Sequence, residues 1–195
     1  MFTQKFNNIK IVLASQSPRR AELLKSLGLN FTIRIAQVDE TVDLSLPHGE
    51  IVEKIALQKV QAVQQNLPAD TLIIGGDTIV CCNRQIFGKP KNEREASLML
   101  QALSDRTHSV MSSICIGYKE KYWLKHDTAY IHFMPLSPQD IAYYLETYAP
   151  YDKAGAYGIQ EWIGMKAIDK IEGSFYTVMG FPTHLLCNML ENIEL

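Results

Sequence analysis

Near its start the chain reads Ile11-Val-Leu-Ala-Ser15-Gln-Ser17-Pro18-Arg19-Arg20, an apolar run followed by a polar turn and two arginines. The first four residues of this stretch form a short apolar, β-branched run, which predicts a buried strand. Proline at position 18 suits the first turn of a helix, so Ser17 is the expected N-cap. The stretch therefore predicts a strand, a tight polar turn and the N-terminus of a helix.

The polar turn predicts an anion site, because a helix N-terminus offers unpaired N–H groups. Ser15 and Ser17 add hydroxyls, and the guanidiniums of Arg19 and Arg20 can each bind two oxygens of a phosphate. An ordinary capped helix with two solvated arginines is an equally good interpretation of the residues alone. The turn is not a P-loop, because Gly-x-x-x-x-Gly-Lys is absent.

Length and composition predict one domain of ordinary globular balance, with 195 residues, 47% of them apolar and 21% charged. The net charge of −2 argues against a general nucleic-acid binder. No apolar run approaches the roughly 18 residues of a membrane span, and we expect no secretion signal. The four cysteines include no C-x-x-C pair, so we expect reduced cysteines in a cytoplasmic protein.

A second apolar run, residues 71–74, ends in Gly75-Gly76-Asp77-Thr78. Two glycines at a strand end allow a sharp turn or a close approach of a ligand. A carboxylate at this place is costly unless it is paired, hydrogen-bonded or bound to a metal. We interpret Asp77 as a functional carboxylate, with an Asx-turn that closes a bend as the alternative.

Periodicity outlines the rest of the chain. Lys59 lies on a predicted helix, where a solvated surface lysine is the plainer interpretation, and Lys89 lies on the stiff turn Gly88-Lys89-Pro90. Helices are predicted over 49–65, 93–103 and 138–148 and at the C-terminal end, and strands over 31–35, 107–118, 122–134 and 162–171. A polar, glycine-bearing loop is predicted over 149–160.

The five histidines have no zinc spacing, and the serine-hydrolase signature G-x-S-x-G is absent. What remains is a set of arginine, lysine and acidic residues at strand-to-turn junctions. This set suits a phosphorylated substrate and a hard divalent cation held by oxygen ligands.

Four motifs in series resemble the Maf (septum-formation inhibitor) family and together cover nearly the whole chain. They are Leu13-Ala-Ser-Gln-Ser-Pro-Arg-Arg20, Gly76-Asp77-Thr78, Gly88-Lys89-Pro90 and Asp152-Lys-Ala-Gly-Ala-Tyr-Gly-Ile-Gln160. The resemblance implies an α/β fold with a long twisted mixed sheet flanked by helices, like that of the inosine-triphosphate pyrophosphatases. It also implies a single domain over residues 1–195, with two lobes around a cleft.

The same resemblance implies hydrolysis of nucleoside triphosphates to the monophosphate and pyrophosphate with Mg²⁺ or Mn²⁺. Asp77 matches the family's proton acceptor and, with Glu40, is expected to bind the metal. Arg19, Thr78 and Gln160 match the positions for substrate specificity. The other expected substrate-binding residues are Ser15, Ser17, Arg20, Lys59 and Lys89.

The Asp-Thr pair after Gly76 and the loop ending at Gln160 resemble the dTTP/UTP pyrophosphatase branch, with modified pyrimidine triphosphates as further candidate substrates. Two other functions stay open: a nucleotide-sensing regulator of septum formation, and a pyrophosphatase for modified or deaminated purine triphosphates. The expected partner is a nucleoside triphosphate, without nucleic acid or membrane. The oligomeric state stays open, with a homodimer as one alternative.

Overall fold

Strand β1 (Ile11–Leu13) and helix α1 (Pro18–Ser26) follow each other in the computed structural model as the opening stretch predicts. The strand is fully buried, and α1 buries its leucine face against the same unit. The structure describes residues 2–35, 37–38, 41 and 45–194. Within these residues no helix is both long and apolar enough to cross a membrane.

The chain divides into two units, the first of which holds residues 1–77, 112–127 and 180–195. Besides β1 and α1 it contains a 3₁₀ helix (Phe2–Phe6), β2 (Thr32–Ile33), α2 (His48–Gln64), β3 (Leu72–Gly75) and α7 (Thr183–Asn192). Two long strands, β6 (Thr107–Tyr118) and β7 (Lys121–Phe133), contribute residues to both units.

The sheet of unit 1 has the strand order β2-β1-β3-β6. Strand β1 runs parallel to β2 and to β3, because α1 and α2 provide the crossover connections. Strand β3 runs antiparallel to β6, with Ile74 opposite Ile116. The sheet is therefore mixed.

Helix α2 packs closely onto this sheet at two glycines. A Cβ on Gly75 would lie 2.6 Å from one methyl of Val60, and a Cβ on Gly117 would lie 2.7 Å from the other. Val60 is fully buried, so the helix approaches the strands at a distance that only glycine permits. This packing brings the neighbouring residue, Lys59, to the end of β3.

Unit 2 holds residues 78–111 and 128–179. Its elements are β4 (Thr78–Cys82), β5 (Gln85–Phe87), α3 (Glu93–Leu103), α4 (Pro138–Tyr148), a 3₁₀ helix (Ala154–Ala156), α5 (Trp162–Ala167), β8 (Ile168–Glu172) and α6 (Phe175–Val178). Strand β4 lies between β6 and β5, and β8 pairs with β7. Helices α3 and α4 and the strands share one apolar core that includes Leu100, Phe133 and Tyr144.

Most predicted elements are confirmed, including the mixed sheet flanked by helices. The strand predicted over 162–171 is wrong in its first half, where α5 precedes β8. Ile163 and Ala167 are four residues apart and both buried, so one helical face covers the core there. A run this short and apolar fits either structure, and the surrounding core decides between them.

Candidate active site

Asp77 lies two residues after the end of β3 and directly before β4, and its carboxylate forms an ion pair with Lys59 on α2. The Lys59 Nζ is 2.7 Å from Oδ1 of Asp77, and the two side chains are only 15% and 11% exposed. The interpretation of Lys59 as a solvated surface lysine is therefore wrong. The ion pair offsets the cost of placing a carboxylate at this buried strand end.

The backbone of Asp77 is held by Ser113 of β6. The N–H of Asp77 donates to the Ser113 hydroxyl at 3.2 Å, and the N–H of Ser113 donates to the Asp77 carbonyl at 3.0 Å. The same hydroxyl donates to the carbonyl of Val52 in α2 at 2.7 Å. The carboxylate bonds to Lys59, which is 18 residues away in the chain, and the functional role of Asp77 stays a prediction.

Arg20 is buried, at 8% exposure, and its guanidinium bonds inside unit 1. Its Nε donates to the Gly180 carbonyl at 2.9 Å, and its Nη1 donates to the Gly76 carbonyl at 2.7 Å and to the Ser15 hydroxyl at 3.2 Å. The alternative of two solvated arginines is therefore excluded for Arg20. This side chain ties the opening turn to the residue before Asp77.

The serines of the turn have separate roles. The Ser15 hydroxyl accepts from the N–H of Ser17 at 3.2 Å as well as from Arg20. Ser17 occupies the N-cap position, but within the described chain its side chain makes no capping hydrogen bond. Arg19, next to Pro18, is half-buried. The structure thus brings Ser15, Arg20, Lys59 and Asp77 into one bonded region of unit 1.

Three further predicted site residues belong to unit 2. Thr78 begins β4 and is half-buried, whereas Lys89 and Gln160 are exposed. The N–H of Gly155 donates to the Gly88 carbonyl at 3.1 Å, so the turn that carries Lys89 is bonded to the loop that precedes Gln160. Glu40, the expected second metal ligand, lies outside the described residues.

Sequence reasoning missed two buried polar residues that bond to predicted site residues or to their sequence neighbours. One is Ser113, for which the available signal was a pair of serines between the apolar residues Val110-Met111 and Ile114-Cys115. The other is Lys153, which is 8% exposed and lies 2.8 Å from Oδ1 of Asp152 and 3.0 Å from Oε1 of Glu161. A lysine directly before the small residues Ala154-Gly155-Ala156 was the available signal in that case.

Burial shifts the pKa values of two other titratable groups away from the range that nucleophilic or acid–base catalysis near pH 7 needs. Burial raises the pKa of the Cys115 thiol to about 12, so this cysteine stays protonated. In unit 2, burial lowers the pKa of His108 to about 4, so the imidazole is neutral near pH 7. The His108 Nε2 lies 2.8 Å from the hydroxyl of Tyr157.

The described residues contain no group of three or more His, Cys, Asp or Glu side chains that could hold a metal ion. All four cysteines are free. Asp77 supplies carboxylate oxygen at the site, the donor that Mg²⁺ prefers.

The chain is similar to known proteins over nearly its whole length. The sequence model described as "Maf-like protein" matches residues 10–193. The chain is 45% identical to a dTTP/UTP pyrophosphatase of Cytophaga hutchinsonii, over 99% of this chain and 88% of that protein. It is 43% identical to a dTTP/UTP pyrophosphatase of Flavobacterium psychrophilum, over 98% of each. Among solved structures, the Staphylococcus aureus Ham1 protein matches with a TM-score of 0.43 at 16% identity, over 64% of this chain and 71% of that chain.

Proposed function

The chain belongs to the Maf-like protein family, and we propose that it is a nucleoside triphosphate pyrophosphatase that hydrolyses dTTP and UTP. The products are the nucleoside monophosphate and pyrophosphate. The observation that carries the proposal is the arrangement around Asp77. Lys59 bonds this carboxylate and Ser113 bonds the backbone of Asp77, so the proposed proton acceptor has a fixed position.

In the proposed reaction, Asp77 accepts a proton from the water molecule that attacks the α-phosphorus. A new P–O bond forms from that water, and the bond to the β-phosphate oxygen breaks to release pyrophosphate. Lys59 keeps the carboxylate oriented through the 2.7 Å contact. Positively charged side chains stabilise the charge that develops on the phosphates, and Arg19 and Lys89 are our candidates.

The hydroxyls of Ser15 and Ser17 and the first turn of α1 are proposed to contact the phosphates. Arg20 acts mainly through its bonds to the carbonyls of Gly76 and Gly180, which shape the turn.

A divalent cation, Mg²⁺ or Mn²⁺, fits this site. Mg²⁺ is commonly bound by one or two carboxylates together with substrate phosphates, and Asp77 supplies such a carboxylate. Glu40 is the proposed second ligand.

When bound, the cation would supply charge neutralisation at the phosphates.

We propose that Thr78 and Gln160 recognise the base of the nucleotide. The Gln160 amide offers one donor and one acceptor, which complement the O4 and N3–H edge that thymine and uracil share. Cytosine reverses that pattern of donor and acceptor.

We further propose a cytoplasmic location, where the four free cysteines stay reduced.

The test is a panel of triphosphates with Mg²⁺ or Mn²⁺, in which pyrophosphate and phosphate are assayed separately. The panel contains dTTP, UTP, CTP, GTP and the deaminated purine triphosphates ITP and XTP. We expect pyrophosphate without phosphate, and highest efficiency with dTTP and UTP. A preference for ITP or XTP would mean that the substrates are deaminated purine triphosphates. Nucleotide binding without turnover would support a regulatory sensor instead.

A further inference from the structure

Gln160 extends from a four-residue turn of unit 2, residues 158–161. The N–H of Glu161 donates to the Gly158 carbonyl at 3.0 Å, which closes the turn. Ile159, the first central residue, is buried, and Gln160, the second, is exposed. The turn is therefore anchored through Ile159 and presents Gln160 outward.

A single hydroxyl contacts both ends of this turn. The N–H of Gly158 donates to the Tyr144 hydroxyl at 3.0 Å, and that hydroxyl donates to Oε2 of Glu161. Tyr144 is fully buried in α4, and its ring stacks on Tyr148 with the ring centroids 5.1 Å apart. Because the ring is held by packing, its hydroxyl is a fixed point for the turn.

Lys153 holds the other oxygen of Glu161. Its Nζ lies 3.0 Å from Oε1, and it also lies 2.8 Å from Oδ1 of Asp152. Glu161 is thus bonded through both oxygens, to Lys153 and to Tyr144. The charge of Lys153 is compensated within the loop, which suits a residue that fixes the loop rather than one that binds phosphate.

Two glycines make room for this arrangement. A Cβ on Gly158 would lie 2.8 Å from Cδ of Glu161, so the carboxylate can lie against the turn only because position 158 has no side chain. A Cβ on Gly164 would lie 1.9 Å from the carbonyl oxygen of Ile159. The turn is therefore packed on both sides.

We propose that Tyr144, Lys153 and Glu161 form a turn clamp that positions Gln160 and so sets the selectivity between uracil or thymine and cytosine. This inference rests on the proposed function. A glutamine can rotate its amide to suit cytosine whatever its backbone does, so the clamp acts on position rather than on rotation: it fixes the backbone from which Gln160 extends and hence where the amide meets the base. The three clamp residues act through Gln160 and are positioning residues, not catalytic ones.

Tyr144→Phe is the sharpest test, because it keeps the packed ring and removes the hydroxyl that joins Gly158 to Glu161. Glu161→Gln is the second variant, which keeps the shape of the side chain and removes its charge. Lys166→Met is the matched control, since Lys166 forms a more exposed pair with Asp140 in the same unit, at 3.8 Å. Amide hydrogen exchange at residues 158–161 and kcat/KM for UTP and CTP are measured for each variant.

We expect faster exchange at residues 158–161 by about tenfold or more in Tyr144→Phe and Glu161→Gln, and no such change in Lys166→Met. The UTP-to-CTP efficiency ratio should fall at least about threefold, with pyrophosphate still the product. Unchanged exchange in both variants, or faster exchange with an unchanged ratio, would overturn the clamp. If the unmodified protein does not prefer UTP over CTP, the base choice in the proposed function fails. In that case the KM for UTP tests the clamp in place of the efficiency ratio, and an unchanged KM in both variants overturns the clamp.

Discussion

The Lys59 Nζ lies 2.7 Å from Oδ1 of Asp77, and both side chains are largely buried at the end of β3. The pair is possible because α2 packs onto the sheet at Gly75 and Gly117, where Val60 contacts the strands. Ser113 holds the backbone of Asp77 from the neighbouring strand. The carboxylate is thus fixed before any substrate binds, which lowers the cost of orienting it during the reaction.

Asp77→Asn should reduce turnover by about 10² or more, because the amide cannot accept the proton from water. The shape of the side chain is preserved, so the fold should persist by circular dichroism. Asp70→Asn is the matched control, since Asp70 is an exposed carboxylate of the same unit, and its turnover should not change. Near-normal turnover of Asp77→Asn would remove this residue from the chemistry.

Arg20→Ala should lower the free energy of unfolding by at least about 2 kcal/mol, because it leaves the buried carbonyls of Gly76 and Gly180 without this donor. Arg19→Ala, at a half-buried position, should cost less than about 1 kcal/mol and act mainly on turnover. Urea denaturation measures both. Equal losses of stability in the two variants would contradict the anchoring role of Arg20.

Gln160→Ala should flatten the preference for dTTP and UTP over CTP while pyrophosphate remains the product. In the unmodified enzyme we expect CTP to be at least about tenfold less efficient, because a mismatched base edge leaves polar groups unpaired. Steady-state kcat/KM values for the three nucleotides check this. Equal efficiencies in the unmodified enzyme would contradict base recognition by Gln160.

Stability should fall with acid because of His108. Its pKa is about 4 in the folded protein and near 6.5 when unfolded, so the unfolded state binds more protons between these values. The contribution of His108 to the free energy of unfolding is fully present above about pH 6.5 and is lost as the pH falls towards 4. About 2 kcal/mol of it is lost by about pH 5. We expect His108→Gln to remove this part of the pH dependence. Urea denaturation of both proteins at several pH values measures the difference, and identical slopes would exclude His108 as its source.

Removal of divalent cations should abolish hydrolysis, and Mg²⁺ or Mn²⁺ should restore it. The melting temperature without nucleotide should stay the same in chelator, because the proposed cation is held largely through the substrate phosphates. Turnover and thermal unfolding in the presence of EDTA check the two statements. Full activity in excess chelator would rule out the proposed cation.

The strand, turn and helix around Ser15 and Pro18 can be predicted from the residues alone, because apolar runs, proline and capping residues act over a few neighbouring positions. It also singled out Asp77, since a carboxylate at the end of a core strand needs a partner wherever it occurs. The helix over Glu93–Leu103 follows equally from its own periodicity.

What those residues contact depends on the packing of segments that are distant in the chain. The burial of Arg20 depends on the carbonyl of Gly180, which is 160 residues away in the chain, and the Lys59–Asp77 pair depends on how α2 packs onto β3. The same holds for α5, where the core overrides a pattern that also fits a strand. Local propensity is a short-range property, whereas burial and partnership are set by which distant segments the fold brings together, and no local pattern contains that information.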